Sequence, residues 1–350
     1  MKKTLQYLVI LLVLCGSIYF LWTKHNDNPY GKAEAGFNIK DTASIGKIFI
    51  ASFDGSTLLL ERTDSCWLLN KDYKALVSMT KMLLNTLYQQ EPLYPVSKSA
   101  KNIAMKDLST FGNKVEVYDR KGKIIAKFYV GGEAPNSSGS VMIMEGSNNP
   151  YIVHIPGFGG TLTTRYAGKF KDWRDRTVFN LLPEDIKSIS INYHDKPEHS
   201  FVFLNENNQP KVIGAGANEN KFKPGELNMH NAGVYLHYFS EVSCEGYLNG
   251  ADGLDSSIMT ADKHSEIDIN TKNGRHQHVE VFWMPVNKRS KNLRTADNTV
   301  SDNYDPDRLF ALINNNKDTV LIQQLIFKRI FRKLPEFYQK GDTTGSKKPL

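Results

Sequence analysis

The spacing Ile45-x-x-Ile48-x-Ile50 returns as Ile186-x-x-Ile189-x-Ile191, 141 positions later, and this recurrence constrains the fold more than any other feature of the chain. Side chains two apart on an extended chain share a face, so each triplet opens a strand with one buried side. Thr57 to Glu61, across Asp54-Gly55-Ser56, supplies a hairpin partner for the first, and Phe201-Val202-Phe203-Leu204 one for the second. A helix follows each hairpin. In Lys74 to Tyr88, Leu76, Met79, Leu83 and Thr86 are spaced three, four and three, with Met82 and Leu87 beside them. Met229, Ala232, Leu236 and Phe239 repeat those steps 153 positions on. A second hairpin then closes each set: Val115 to Tyr118 with Ile124 to Val130 about Gly122, and Ile267-Asp268-Ile269 with Val279-Glu280-Val281 about Asn273-Gly274. Gly274 lies 152 positions after Gly122. One duplication, with an insertion of about 11 residues in the loop Gly214 to Lys223, reconciles these offsets, because loops absorb insertions cheaply.

The expected fold class is therefore α+β: an N-terminal transmembrane helix, then two tandem hairpin-helix-hairpin units with antiparallel sheets. Leu5 to Trp22 is apolar except for Gln6 and Ser17, and eighteen helical residues span roughly 27 Å, close to a bilayer core. Lys2 and Lys3 precede the run and only Lys24 closely follows it, which favours a cytoplasmic N-terminus and an extracytoplasmic bulk. No Ala-x-Ala-like cleavage site follows the run, and in Leu12-Val13-Leu14-Cys15 the large Leu14 stands where a lipobox needs a small residue. The organisation read from these signals is a cytoplasmic tip at 1–4, an anchor at 5–22, a juxtamembrane linker at 23–40, α+β units at 41–180 and 181–335, and a disordered tail at 336–350. The expected location is single-pass in the inner membrane. A last apolar pattern from Leu309 to Phe331 reads as a helix, or a strand plus a helix, packed on the second unit.

Of the three cysteines only Cys66 and Cys244 follow the apolar run, so one disulfide at most forms there, with two buried thiols the alternative. The net charge of +7 is mild for 350 residues, and its basic residues are not interleaved with aromatics as a nucleic-acid platform requires, so no nucleic-acid partner is expected.

His276-x-His278 sets two imidazoles on one strand face, a spacing used by metal sites, but no adjacent Cys or acidic cluster completes a ligand set. An exposed polar strand without metal is the expectation. Asp302, Asp305 and Asp307 lack the glycine and closing glutamate of a calcium loop and read as a solvated acidic turn. Gly157-Phe158-Gly159-Gly160 lacks the lysine of a phosphate loop, and no cofactor is expected. Within Asp172-Trp173-Arg174-Asp175-Arg176, the residues Trp173, Arg174, Asp175 and Arg176 are candidate contacts to a partner or between the units, with guanidinium and carboxylate groups paired over a buried indole. No Gly-x-Ser-x-Gly elbow or His-Glu-x-x-His helix is present. Catalytic residues are therefore not identified. An enzyme would need groups such as His154, His194, Asp172 and Asp175 to converge in one pocket.

Cys66-Trp67-Leu68-Leu69-Asn70, the helix near Leu83, Val130-Gly131-Gly132, Ile155-Pro156-Gly157-Phe158 and the Asp172 to Arg176 block together resemble the family called domain of unknown function 4340, in its Bacteroidetes-type form. The likeness is best over Ile45 to Phe179 and fades beyond. It implies a membrane-anchored extracytoplasmic protein with an accessory role beside a membrane-protein partner, such as an ABC-type transport or gliding assembly, and supplies no catalytic residues. The function so read is a non-catalytic accessory or scaffold subunit marked by an apolar or aromatic surface patch near Trp173 or Trp283. The alternatives are an extracytoplasmic hydrolase or carbohydrate-handling enzyme, and a small-molecule or lipid-binding module.

Overall fold

Ile45–Ala51 (β1) and Thr57–Arg62 (β2) pair as a hairpin with Ile48 opposite Leu60 and Ile50 opposite Leu58, so the alternating apolar side chains of both strands fall on one buried face. The computed structural model describes residues 12–17, 32–166, 169–206, 209–216, 226–251, 258, 260–290 and 303–338, and the chain divides into two compact units, Met1–Asp175 and Arg176–Leu350.

In the first unit, Trp67–Leu69 (β3) and Tyr73–Lys74 (β4) extend the hairpin outward. Helix Val77–Gln89 (α1) and strand Glu91–Pro95 (β5) follow, then helix Lys101–Phe111 (α2). Asn113–Asp119 (β6), Ile124–Glu133 (β7), Ser140–Met144 (β8) and Tyr151–His154 (β9) complete a nine-stranded antiparallel sheet. Its order is β4-β3-β2-β1-β6-β7-β8-β9-β5. Ile45, Ile48, Leu60, Val115, Val117, Phe128 and Val153 project from the sheet into the same core as Leu83 and Leu87 of α1. Burying such side chains contributes roughly 1.5–3 kcal/mol each before chain entropy is subtracted. A polar thread crosses this core: the Tyr166 hydroxyl donates to Gln90 Oε1 at 2.5 Å, and Gln90 Nε2 donates to the Phe37 carbonyl at 2.6 Å. Tyr166→Phe leaves a buried amide oxygen without its donor and is expected to destabilise the unit by about 1–3 kcal/mol, read as a lower midpoint in urea unfolding with an unchanged slope.

The second unit runs through Thr177–Phe179 (β10), Ile186–Tyr193 (β11), Phe201–Glu206 (β12), Gln209–Gly214 (β13), helix Met229–His237 (α3), Val242–Ser243 (β14), Gly246–Tyr247 (β15), Lys263–Thr271 (β16), His276–Pro285 (β17), Tyr304–Ile313 (β18) and Asp318–Gln323 (β19). Strands β10 and β14 pair with each other. The others form an eight-stranded antiparallel sheet in the order β13-β12-β11-β16-β17-β18-β19-β15. Asn228 caps α3 by accepting from the Asn231 amide at 3.0 Å. Tyr235 of α3 packs its ring with centroids 5.0–5.9 Å from those of Phe201, Phe203, Phe239 and Phe337, edge-on or tilted as aromatic quadrupoles prefer.

The two sheets share one strand order. β1, β2, β3 and β6 to β9 occupy the places that β11, β12, β13 and β16 to β19 occupy in the second, and each sheet is closed by a short strand lying between the unit's first helix and its later hairpins, β5 or β15. Equivalent pairs keep register: Ile48 faces Val117 across β1 and β6, and Ile189 faces Ile269 across β11 and β16.

The α+β expectation is corrected on two counts. First, the large antiparallel sheets make the protein mostly β, not hairpin-helix-hairpin. The residues after the second hairpin of each unit add two further strands, and Leu309 to Phe331 yields β18, β19 and one helical turn, Gln324–Phe327. β8 and β9 are buried at most positions, which removes the alternation by which a half-exposed strand is recognised. Second, no helix among the described residues is long and apolar enough to cross a membrane, so an N-terminal transmembrane helix is not supported. Of Leu5 to Trp22 only the exposed helical residues 12–17 are described. The expectations placed on 1–4, most of 23–40 up to residue 31, and 339–350 fall outside the described residues.

Candidate functional site

Strands β17 and β18 stay in even register as far as Trp283 opposite Leu309, and the next pair is Pro285 opposite Tyr304. Asp305-Pro306-Asp307-Arg308 must then bulge out against Met284, a distortion that re-aims side chains and interrupts the ladder. Pro306, which has no N–H to leave unpaired, suits such a place. Asp305 organises the bulge from inside: fully buried, its carboxylate accepts from the amides of Asp307 and Arg308, each at 2.9 Å, and from the Ser290 hydroxyl. The solvated acidic turn expected at Asp305 is therefore corrected to a buried anchor, while Asp302 lies outside the described residues.

A cleft of about 940 Å³ opens over this bulge. Trp283, Tyr304, Leu309 and Phe331 form its apolar walls, with Trp283 and Tyr304 stacked at 5.1 Å and 24°. Leu325, on the helical turn after β19, stands at the rim with 80% of its surface exposed. Arg308 and Tyr304 are already engaged, whereas Arg289, Asp307 and Lys328 also line the cleft. Arg308 donates from Nε to Glu245 Oε2 at 2.7 Å and reaches the other carboxylate oxygen with its terminal nitrogen, and Tyr304 donates to Asp262. Gln324 Nε2 donates to the Asp305 carbonyl at 3.1 Å.

His264 lies at the cleft floor, 9% exposed, with its ring 4.8 Å from Trp283 and 4.6 Å from Phe331. Burial disfavours the imidazolium and lowers its pKa to about 4, so the ring is neutral at pH 7. Its Nδ1 is 2.8 Å from Ser265 Oγ, but Ser265 is fully buried and cannot present its hydroxyl to a substrate. Adjacency on one strand explains this pair better than nucleophile activation does. The cleft can therefore bind an apolar or aromatic group within a polar rim.

The residues singled out from the sequence are spread over other places. Trp173 is fully buried in the first unit's core, and Arg174 sets its guanidinium 4.2 Å from the Tyr73 ring centre. The Asp175 amide donates to the Lys74 carbonyl at 2.8 Å, and the Arg176 carbonyl accepts from the Cys244 amide at 2.8 Å. Asp172 caps its own helical turn through the Lys169 amide, His154 faces Glu91 at 3.7 Å, and His194 faces Glu266 at 3.4 Å. None of these lines the cleft. His276 and His278 share Asp268 Oδ1 on the outer face of the second sheet. Among the described residues, no group of three or more His, Cys, Asp or Glu is placed to hold a metal ion. No disulfide joins Cys66 and Cys244.

A family model described as "Domain of unknown function (DUF4340)" matches residues 74–257, more than half of the chain. The chain belongs to the DUF4340 family. The DUF4340 match starts later than the resemblance read from the sequence and runs further, from the end of β4 in the first unit to beyond β15 in the second. Apart from Glu245, the cleft groups described above lie after the matched segment, so their roles rest on their geometry. No curated protein and no solved structure matches the chain.

Proposed function

We propose that this DUF4340 protein is a non-catalytic accessory or scaffold subunit that holds a partner in the cleft of its second unit. The observation that carries this reading is the contrast inside the cleft: Trp283, Tyr304, Phe331 and Leu325 offer exchangeable apolar surface, while Arg308, Asp305 and Tyr304 direct their polar groups to protein partners. Aromatic residues in a water-excluding rim are the usual composition of a binding hot spot. The partner belongs, on this reading, to a membrane assembly of the kind the family resemblance implies. A second reading, a small-molecule module, draws on the cleft volume, which matches pockets for drug-sized ligands.

The test is capture of partners by the tagged full-length chain from detergent-solubilised membranes, compared with Leu325→Asp and with Leu182→Asp, which alters a 56% exposed leucine away from the cleft. A stoichiometric partner retained by Leu182→Asp and weakened about 30-fold or more by Leu325→Asp is the expected result. A partner that ignores Leu325→Asp would place the working surface elsewhere. A partnerless protein that instead retains a small molecule would favour the second reading.

A further inference from the structure

Seven ionisable side chains form an unbroken row on the outer face of the second sheet. His194 Nε2 lies 3.4 Å from Glu266, and Lys263 Nζ bridges Glu266 to Glu280, reaching the latter at 2.8 Å. Glu280 is 3.6 Å from His278 Nε2. His278 Nδ1 and His276 Nε2 both meet Asp268 Oδ1, at 2.8 and 3.1 Å. Strand register makes this contiguity unavoidable, because Glu266 stands directly opposite Glu280 and Asp268 opposite His278 across β16 and β17. Facing residues from neighbouring elements are uncharged: Ser188, Ser190 and Asn192 from β11, Leu312 from β18, and Asn316, which donates to Glu280 at 2.7 Å.

The equivalent position in the first sheet shows what is unusual. There Glu116 of β6 is flanked by Phe49 and Lys127, in the register that places Asp268 between Ser190 and His278. Lys127 pairs with Glu116 at 3.2 Å and with Glu145 at 2.5 Å, and its pKa is raised, chiefly by Glu145. That cation is permanent at any physiological pH. The second sheet has an imidazole in its place, the side chain that gains or loses a proton near neutrality.

We propose that the row His194, Glu266, Lys263, Glu280, His278, Asp268 and His276 is a proton-operated switch that reverses the charge of the second sheet's outer face under mild acidification. With neutral imidazoles the row carries three carboxylates against one ammonium, a net −2; with all three imidazoles protonated it carries +1. Burial by itself would lower His278, but the Asp268 hydrogen bond and the charges of Asp268, Glu280 and Glu266 outweigh it and raise its pKa. A raised folded value means that its stabilisation is complete below the unfolded imidazole pKa and fades as pH rises through the folded one. His276 and His278 meet the same oxygen of Asp268, so a charge on one imidazole acts directly on the other.

The experiment follows the nine histidines of the full chain, isotope-labelled at the imidazole carbons, by NMR from pH 8 to 5. The expected result is a His278 midpoint above the ordinary imidazole value of about 6.5, falling by about half a unit or more in Asp268→Asn. Glu280→Gln, further along the row, is expected to lower the His278 midpoint while leaving the fold intact, and guards against a local failure of Asp268→Asn. His278→Lys should hold the face nearer its acid-form charge, seen as a smaller change in electrophoretic mobility between pH 8 and 5. A wild-type His278 midpoint at or below about 6.5, or curves unmoved by both carboxylate variants, would overturn the proposal.

Discussion

Acidification from pH 7 to pH 4 is expected to remove about 3 kcal/mol of stability from the second unit through His264 alone. The folded pKa of about 4 lies below the ordinary imidazole value of 6.5, so the unfolded chain binds the proton first. Stability from this group is intact above pH 6.5, declines as pH falls, and is fully lost only below pH 4, once pH has passed through the folded value. The full difference of about 2.5 pKa units is worth about 3.4 kcal/mol at 1.36 kcal/mol each, and most of it, about 3 kcal/mol, is lost between pH 7 and pH 4. The check is amide hydrogen exchange of β16 to β18 as a function of pH, compared with His264→Phe. That variant fills the space beside Trp283 and Phe331 and strands the Ser265 hydroxyl, so it is less stable at pH 7 by about 1–3 kcal/mol, but its loss between pH 7 and 4 is smaller by the His264 contribution. An equal acid loss in both proteins would refute the assignment. The outer-face histidine His278 acts with the opposite sign, since its pKa is raised, so His278→Gln should steepen the acid loss while His264→Phe flattens it.

Trp173→Ala is expected to destabilise the first unit by about 3–5 kcal/mol, a large share of the 5–15 kcal/mol that holds a typical domain together. The indole is fully buried with Phe128, Tyr166 and Leu83 in one core. Its backbone also matters, because the Trp173 carbonyl accepts from the Leu76 amide at 2.7 Å and Arg174 bridges to Ala75, which fixes the entry to α1. Truncation spares that backbone tie and opens a cavity, so the loss should fall on the packing. Arg174→Ala, which removes the guanidinium over Tyr73, should cost about 0.5–2 kcal/mol. Chemical denaturation monitored by amide exchange in β1 and β6 separates the two. A Trp173→Ala loss below that of Arg174→Ala would mean the core closes over the vacancy or the indole carries little of the packing.

The hairpins were legible because their glycines stand where the backbone demands them. Gly122 and Gly274 adopt φ of 82° and 84°, and the flanking strands alternate buried and open positions. The helices were legible in place and less so in face: Leu76 precedes α1 as its cap residue, and Met229 at the start of α3 points to solvent. The β18 to β19 turn was missed although its signal is present. Asn314, Asn315 and Asn316 take φ of 55°, 55° and 63°, a left-handed run that asparagine tolerates better than most residues. Of the cleft, only Trp283 stood out in the sequence as a patch residue. Asp305 was misread because its partners are the amides of its own bulge, a local Asp-x-x pattern that looks the same as an exposed turn until burial is known. His264 was invisible because Tyr193, Trp283 and Phe331, the rings that exclude water from it, come from segments far apart in the chain.

The closing strands β5 and β15 bear on how the protein reaches its fold. Each is made before the four strands β6 to β9 or β16 to β19, yet pairs only with the last of them: Glu91 meets His154, and Gly246 meets Leu321. Neither sheet can be finished until its final strand exists, so closing it demands a long loop whose entropy is lost before the pairing repays it. During synthesis, the unpaired rim of the last strand made and the waiting closing strand are both exposed in a half-made unit. Two units with one strand order thus carry two closing strands of the same topological design, a circumstance in which folding each unit as it emerges limits mispairing.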